Sequence, residues 1–224
     1  MSTEPDLRFK LLELKDPTHP LLIRLRAKAP GTYFHSFIVA ELAASAAIPF
    51  KGKADPLLAQ VGGLYHDIGK MSKPEAYAEN QEDSEYPFQP EVILTHVKKG
   101  IDIAKAYDLP DAIQRFMATH HGTQTPPQNK KTQSQSYPLS FRPQTIEETL
   151  VMLADSSEAA VRSSQHSDRD GIKNIVRSVI DAKIHDDQLR DSVLISNDLD
   201  IVEEHFLEVF IALYHRRHAT ERKE

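Results

Sequence analysis

Apolar residues recur at intervals of three and four along most of the chain, and no stretch sustains the alternation of β-branched and aromatic side chains that marks a strand. The pattern predicts an all-α domain. Proline and glycine punctuate it. Pro20 suits a first helical turn and Pro30-Gly31 ends the run, so a helix is expected from Pro20 to Ala29. A second is expected from Thr32 to Ala47, with Phe37, Ala40, Leu42 and Ala44 inward. Pro56 opens a third to Ile68, with Leu57, Leu58, Val61 and Leu64 as its apolar stripe.

Residues 70–89 are polar and rich in proline, with room for a short helix near Glu75 to Glu79. Further helices are expected from Pro90 to Tyr107 and from Pro110 to His120-His121, where Gly122 is suited to the position just past a helix end. Residues 123–143 carry many Gln, Ser, Thr and Lys and cannot bury enough apolar surface to offset the cost of ordering, which predicts a long flexible loop. Helices resume over Gln144 to Arg162, Gly171 to Ile184, and Asn197 to Arg217 with Ser196 as cap. The expected organisation is an N-terminal extension (1–18), one helical domain (19–218) and a short tail (219–224).

Composition narrows the chemistry. The 224 residues include no cysteine, which removes disulfides, thiolate zinc sites, iron–sulfur clusters and cysteine nucleophiles. Histidine numbers 11 against 8 glycines, so a transition-metal site would use imidazole and carboxylate. A net charge of −6 gives no overall attraction to nucleic acid or anionic membrane, and a nucleic-acid duplex is not an expected partner. No apolar run approaches the ~18 residues of a membrane-spanning helix, and Met1 to Lys15 lacks the pattern of a secretion signal. A cytoplasmic chain without direct membrane insertion is the expectation.

Seven residues stand out as a set: His35, His66, Asp67, His96, His120, His121 and Asp155. Each falls on or at the end of a predicted helix, and helical bundles build metal sites from such groups converging on the core. A lone helical histidine is more often a packed or surface residue than a ligand. The pair His66-Asp67, however, follows the apolar run Val61 to Tyr65, where ionisable groups are costly unless matched by a charge or a metal. His120-His121 closes a helix whose inward residues are Ile113, Phe116 and Met117. One imidazolium there is explained by the helix C-terminus, two are not. The remaining histidines, His19, His166, His185, His205, His215 and His218, read as structural or surface groups.

The segment Gly63-Leu64-Tyr65-His66-Asp67-Ile68-Gly69-Lys70 resembles the signature of HD-domain phosphohydrolases. Pro30-Gly31-Thr32 with His35-Ser36, Thr95-His96, Thr119-His120-His121-Gly122-Thr123, and Ala154-Asp155 with Glu158 and Arg162 extend the likeness. Together they are similar to the cytoplasmic catalytic domain of seven-transmembrane HD phosphodiesterases that hydrolyse cyclic di-AMP, over about Lys10 to Arg217. The resemblance implies a helical HD bundle with two divalent transition-metal ions, iron or manganese, in its core. It implies that His35, His66, Asp67 and Asp155 bind one ion and that Asp67, His96, His120 and His121 bind the other. Asp67 would then bridge, and a hydroxide held between the ions would attack phosphorus.

The remaining roles attach to that frame. Lys70 lies four residues after His66 and would share its face if the helix ran past Gly69, placing it to contact phosphate oxygens. Arg162 either contacts a second phosphate or pairs with Glu158 four residues before it, and Glu158 itself is a candidate to orient a ligand imidazole. Ser36, Thr95 and Thr123, each beside a ligand, are candidate substrate contacts. The function so implied is hydrolysis of a cyclic dinucleotide, cyclic di-AMP above all, to the linear 5′-phosphorylated dinucleotide. Alternatives are a nucleotidase, a dinucleoside-polyphosphate hydrolase, an HD-type di-iron oxygenase and a nucleotide-binding signalling module. The chain could equally be the cytoplasmic part of a membrane protein, and a homo-oligomer is compatible with it.

Overall fold

The computed structural model describes residues 4–81, 89–124, 139–164 and 168–221. The interior of the expected loop (125–138), His166 and the last residues of the tail lie outside them, as do the side chains of residues 214–221 with His215 and His218. Ten α-helices are found among the described residues: α1 (Glu4–Lys15), α2 (Pro20–Lys28), α3 (Pro30–Ala47), α4 (Pro56–Tyr65), α5 (Pro90–Ile93), α6 (His96–Ala106), α7 (Asp111–Thr119), α8 (Ile146–Ser163), α9 (Arg169–His185) and α10 (Ser196–Glu221). The described residues contain no strand, as the apolar periodicity predicts.

Local chemistry sets several helix starts. Proline occupies the first turn of α2, α3 and α4, where its missing N–H costs nothing. The Asp55 carboxylate accepts from Leu57 N–H at 2.8 Å to cap α4. Thr145 Oγ1 accepts from Glu148 N–H at 3.2 Å to cap α8, while Glu148 reaches back to the N–H of Gln144 at 2.9 Å.

Helix α3 runs through the middle of the bundle, against α2, α4, α8 and α10. With the 3₁₀ turn that follows it, it forms the segment Pro30–Phe50, which by length and composition is apolar enough to cross a membrane. That corrects the sequence expectation. Its position accounts for its apolarity, since Val39, Ala40, Leu42, Ala43, Ala46 and Ala47 are all buried against neighbouring helices. Phe37, expected inward, is 41% exposed, because the small alanines rather than the phenylalanine carry the close contacts.

Three elements differ from expectation. Residues set apart as an extension form α1, whose Leu11 and Leu14 are buried in the main core, and Tyr65 Oη donates to Leu14 C=O at 2.9 Å. The helix expected from Pro90 to Tyr107 breaks between α5 and α6. There Val92 C=O accepts from Thr95 N–H at 3.0 Å, closing a tighter turn than the helical one, and also from Thr95 Oγ1 at 2.8 Å, while Ile93 C=O accepts from His96 Nδ1 at 2.6 Å. Finally, α4 stops at Tyr65 and gives way to a 3₁₀ turn, Ile68–Ser72, so the helix does not continue past Gly69. The segment beyond holds two more 3₁₀ turns, Pro74–Ala76 and Ala78–Asn80, where a short helix was expected.

Candidate metal centre

All seven expected ligands come together in the core. His35 comes from α3, His66 and Asp67 from the end of α4, His96 from the first residue of α6, His120 and His121 from the end of α7, and Asp155 from α8. They form two groups. In one, His35, His66, Asp67 and Asp155 each offer a ligand atom within 4.8 Å of the others; in the second, His96, His120 and His121 do the same. Except for the half-buried His121, every member is buried.

Asp67 stands between the groups. Its Oδ2 lies 3.3 Å from His66 Nε2 and 3.6 Å from His35 Nε2, while its Oδ1 lies 3.5 Å from His96 Nε2 and 3.6 Å from His120 Nε2. Asp155 Oδ1 completes the first group at 3.1 Å from His35 Nε2 and 3.6 Å from His66 Nε2. In the second, His96 Nε2 lies 3.2 Å from His120 Nε2 and 3.0 Å from His121 Nε2.

The imidazoles are oriented from behind. His66 Nδ1 donates to Gly63 C=O at 2.8 Å, His96 Nδ1 to Ile93 C=O at 2.6 Å and His120 Nδ1 to Phe116 C=O at 3.1 Å. His35 Nδ1 bonds the Glu158 carboxylate. A ring that gives its Nδ1 proton away outward turns the Nε2 lone pair inward, which is the tautomer a metal requires.

Electrostatics separate the groups. Burial disfavours charge on His66, but Asp67 and Asp155 outweigh it and push its pKa up to about 10. The same contest raises His35, through Asp155 and Glu158. Burial also opposes ionisation of Asp67, yet Lys70 and His66 hold its carboxyl well below the usual range, and His35 and His66 do so for Asp155. In the second group burial wins. It lowers His96, takes His120 down to about 3 and holds His121 well below the usual imidazole range, with neighbouring imidazoles adding to the effect on the last two.

These features fit divalent transition-metal ions. His66 Nε2 and Asp67 Oδ1 are buried without a hydrogen bond, a costly state that a cation relieves. Neutral imidazoles converging on one point and carboxylates concentrating negative charge on another are both what such ions select. Binding at the first group would compete with the proton that the surrounding carboxylates favour on His35 and His66.

The expected substrate contacts are placed differently. Lys70 Nζ lies 2.6 Å from Asp67 Oδ2 and 2.8 Å from Glu79 Oε1, brought there by the 3₁₀ turn rather than by a continued helix. Arg162 Nε lies 3.2 Å from both oxygens of Glu158, so it takes the pairing alternative, and Glu158 orients His35 as expected. Thr95 bonds the Val92 carbonyl. Ser36 is buried with no partner for its Oγ, and Thr123 bonds Gln188 Oε1 through its N–H at 2.8 Å and its hydroxyl at 3.3 Å. Of the histidines read as structural or surface groups, His19 caps α2 by accepting from Leu21 N–H, and His205 Nδ1 meets Ser45 Oγ at 3.1 Å.

Sequence reasoning missed Glu79, which is buried against Lys70 and accepts from Thr32 Oγ1 at 3.2 Å, and Asn80, whose Oδ1 accepts from Thr32 N–H at 3.1 Å. It also missed Lys183 and Gln188 of the α9 end. No local motif marks them, because each acts on a residue far away in sequence.

The family model for the HD domain matches residues 32–160. The chain belongs to the HD-domain family. This HD domain is 33% identical to the cyclic-di-AMP phosphodiesterase PgpH of Bacillus subtilis over 93% of its own length and 31% of that protein. To the PgpH of Listeria monocytogenes it is 35% identical over the same shares. It therefore spans about a third of these curated relatives. Ribonuclease Y of Alkaliphilus metalliredigens is 32% identical over 63% of this chain and 24% of that enzyme. Among solved structures, the HD domain of L. monocytogenes PgpH superposes with a TM-score of 0.82, covering 88% of this chain and all of that one at 33% identity. The same domain in complex with cyclic-di-AMP gives 0.81.

The contact from Glu158 to His35 carries a prediction for this HD domain. Glu158→Ala is expected to weaken metal binding at the first group about 10- to 100-fold, read by competition with a chromogenic chelator. Unchanged affinity would mean that His35 is held by α3 alone.

Proposed function

We propose that this HD domain is a two-metal phosphodiesterase that opens a cyclic dinucleotide, cyclic di-AMP first among them, to the linear 5′-phosphorylated dinucleotide, with iron or manganese as its ions. The observation that carries the reading is Asp67, one buried carboxylate whose two oxygens face two separate ligand groups. Such an arrangement suits a pair of ions sharing one ligand. The likeness to PgpH over nearly the whole chain, against only 63% for ribonuclease Y, supports a cyclic dinucleotide over an RNA.

Two divalent ions, when bound, supply Lewis acidity toward water and phosphodiester alike. The chain's own residues do the rest. Gly63, Ile93 and Phe116 carbonyls and Glu158 fix His66, His96, His120 and His35 in one tautomer and one orientation, so these four rings do not have to reorganise during the reaction. Lys70, held by Glu79, keeps a positive charge beside Asp67, where it offsets negative charge gathering on the phosphate oxygens. Burial of Lys70 and Glu79 with the ligands keeps the local dielectric low, which strengthens that interaction.

Two measurements test this. Chelator-stripped protein given Mn²⁺ or Fe²⁺ is expected to gain about 5–10 °C in Tm per site filled, from the ~2.7 kcal/mol that a ligand at 100 times its Kd contributes and the ~2–4 °C per kcal/mol of a domain this size. Loaded protein is then offered cyclic dinucleotides, linear dinucleotides and mononucleotides. Linear product from the cyclic substrates is the expected result; protein loaded with two ions yet inert to every cyclic form would overturn the reading.

A further inference from the structure

Lys183, near the C-terminal end of α9, is only 7% exposed. Its ammonium donates to Gln124 Oε1, a neutral amide oxygen, whereas the ammonium of Lys70 is met by two carboxylates. Burying a lysine against a neutral acceptor is costly, and burial does lower its pKa, with the negative charges of Asp155 and Asp186 pulling the other way.

Gln124 gives the location. Its backbone N–H donates to His121 C=O at 3.3 Å, so it belongs to the turn that carries His121, the half-buried ligand. Its side chain is also tied to Asp186 Oδ2 at 2.9 Å. Gln188 anchors the same turn through Thr123 and donates from Nε2 to Asp186 C=O at 2.8 Å. Gly122, at φ 57°, holds a backbone conformation that other residues rarely adopt, and a Cβ there would push on the Gln188 amide, whose Oε1 would lie 2.3 Å away. The end of α9 therefore holds a cation in a fixed place beside the more open side of the centre.

A cyclic dinucleotide carries two phosphodiesters, and the metal centre engages one. We propose that Lys183 binds the second, exchanging the Gln124 amide oxygen for a phosphate oxygen. The inference rests on the reading of the substrate as a dinucleotide. An ammonium that trades a neutral acceptor for an anionic one replaces an ion–dipole contact with an ion pair and gains its Coulombic attraction.

The test uses the Mn²⁺-loaded full chain with two substrates, cyclic di-AMP and bis(p-nitrophenyl) phosphate, which has a single phosphodiester. Lys183→Met is expected to raise KM for cyclic di-AMP about 10- to 100-fold more than KM for bis(p-nitrophenyl) phosphate, the range of a hydrogen bond to a charged group. Lys183→Gln carries the same expectation and guards against a folding failure of the first variant, and Lys183→Arg should restore most of the loss. Gln124→Ala decides between binding and scaffolding. It frees the ammonium and should leave KM for cyclic di-AMP unchanged or lower. Equal effects of Lys183→Met on both substrates, or a Gln124→Ala variant that reproduces its rise in KM, would overturn the assignment while leaving the phosphodiesterase reading intact. Wild-type protein active on bis(p-nitrophenyl) phosphate but inert to cyclic dinucleotides would instead defeat the substrate reading, and this proposal with it.

Discussion

Asp67→Ala is expected to lower turnover by about 10³-fold or more, since it removes ligation worth several kcal/mol of transition-state charge stabilisation, and to reduce the metal content from two ions per chain to one or none. Each Asp67 oxygen faces a different ligand group, so both groups lose a member at once, which no other single substitution at the centre achieves. Elemental analysis of the purified variant is the deciding measurement, because it reads ligation independently of activity. Two ions retained at wild-type affinity would refute a shared ligand. The same change takes one counter-charge from Lys70, which keeps Glu79, and from His35 and His66, which keep Asp155, so the loss of stability is expected to stay below the ~3–5 kcal/mol of a buried charge left with no partner. Asp67→Asn, which keeps the shape, separates folding from ligation. Because Asp67 and Asp155 are held far below ordinary carboxylate values, the stability they contribute is present above about pH 4 and is lost only as pH falls through those depressed values.

Gly69→Ala is expected to destabilise the domain by about 3 kcal/mol or more, at the upper end of overpacking costs, lowering Tm by roughly 6–12 °C. A Cβ at this position would lie 1.9 Å from His96 C=O and 2.6 Å from Gly100 N, both backbone atoms of α6 that cannot rotate away. The turn after Asp67 and the start of α6 thus cross backbone to backbone, which brings His96 up to Asp67. Relief of the clash has to move His96, so the second ligand group is expected to lose affinity along with stability. Thermal melts in chelator read the first effect, and metal titration reads the second. An unchanged Tm would show that α6 slides off the turn at little cost.

Gly69 also shows why part of the site was readable in sequence. The run from Gly63 to Lys70 resembles a known signature because each position has one local duty: small residues for close packing, two ligands at the helix end, and a glycine where another backbone crosses. The role expected for Lys70 rested on helical spacing from His66, and that spacing fails. A helix continuing past Tyr65 would not turn Asp67 between the groups, and the 3₁₀ turn that does so carries Lys70 onto Asp67 instead. Glu79 lies in a polar segment that nothing in the sequence distinguishes from solvent-facing linker, and it is buried only because that segment folds back over the start of α3. Leu11 and Leu14 suffice for α1 to dock on the core.

By itself, the sequence determined the helical class, most helix starts and stops, and the chemistry available to a metal site: imidazole and carboxylate, with no thiolate. These depend on local terms, the period of apolar residues, proline and glycine at helix ends, and residue type. Only the tertiary structure decided that one carboxylate serves two ligand groups, that Glu79 and Glu158 stand behind Lys70 and His35, and that Lys183 reaches the turn of His121 from 62 residues away. Such contacts join segments whose separation along the chain carries no signal. They form because burial in a low-dielectric core forces each charged or polar group to find its partner in space.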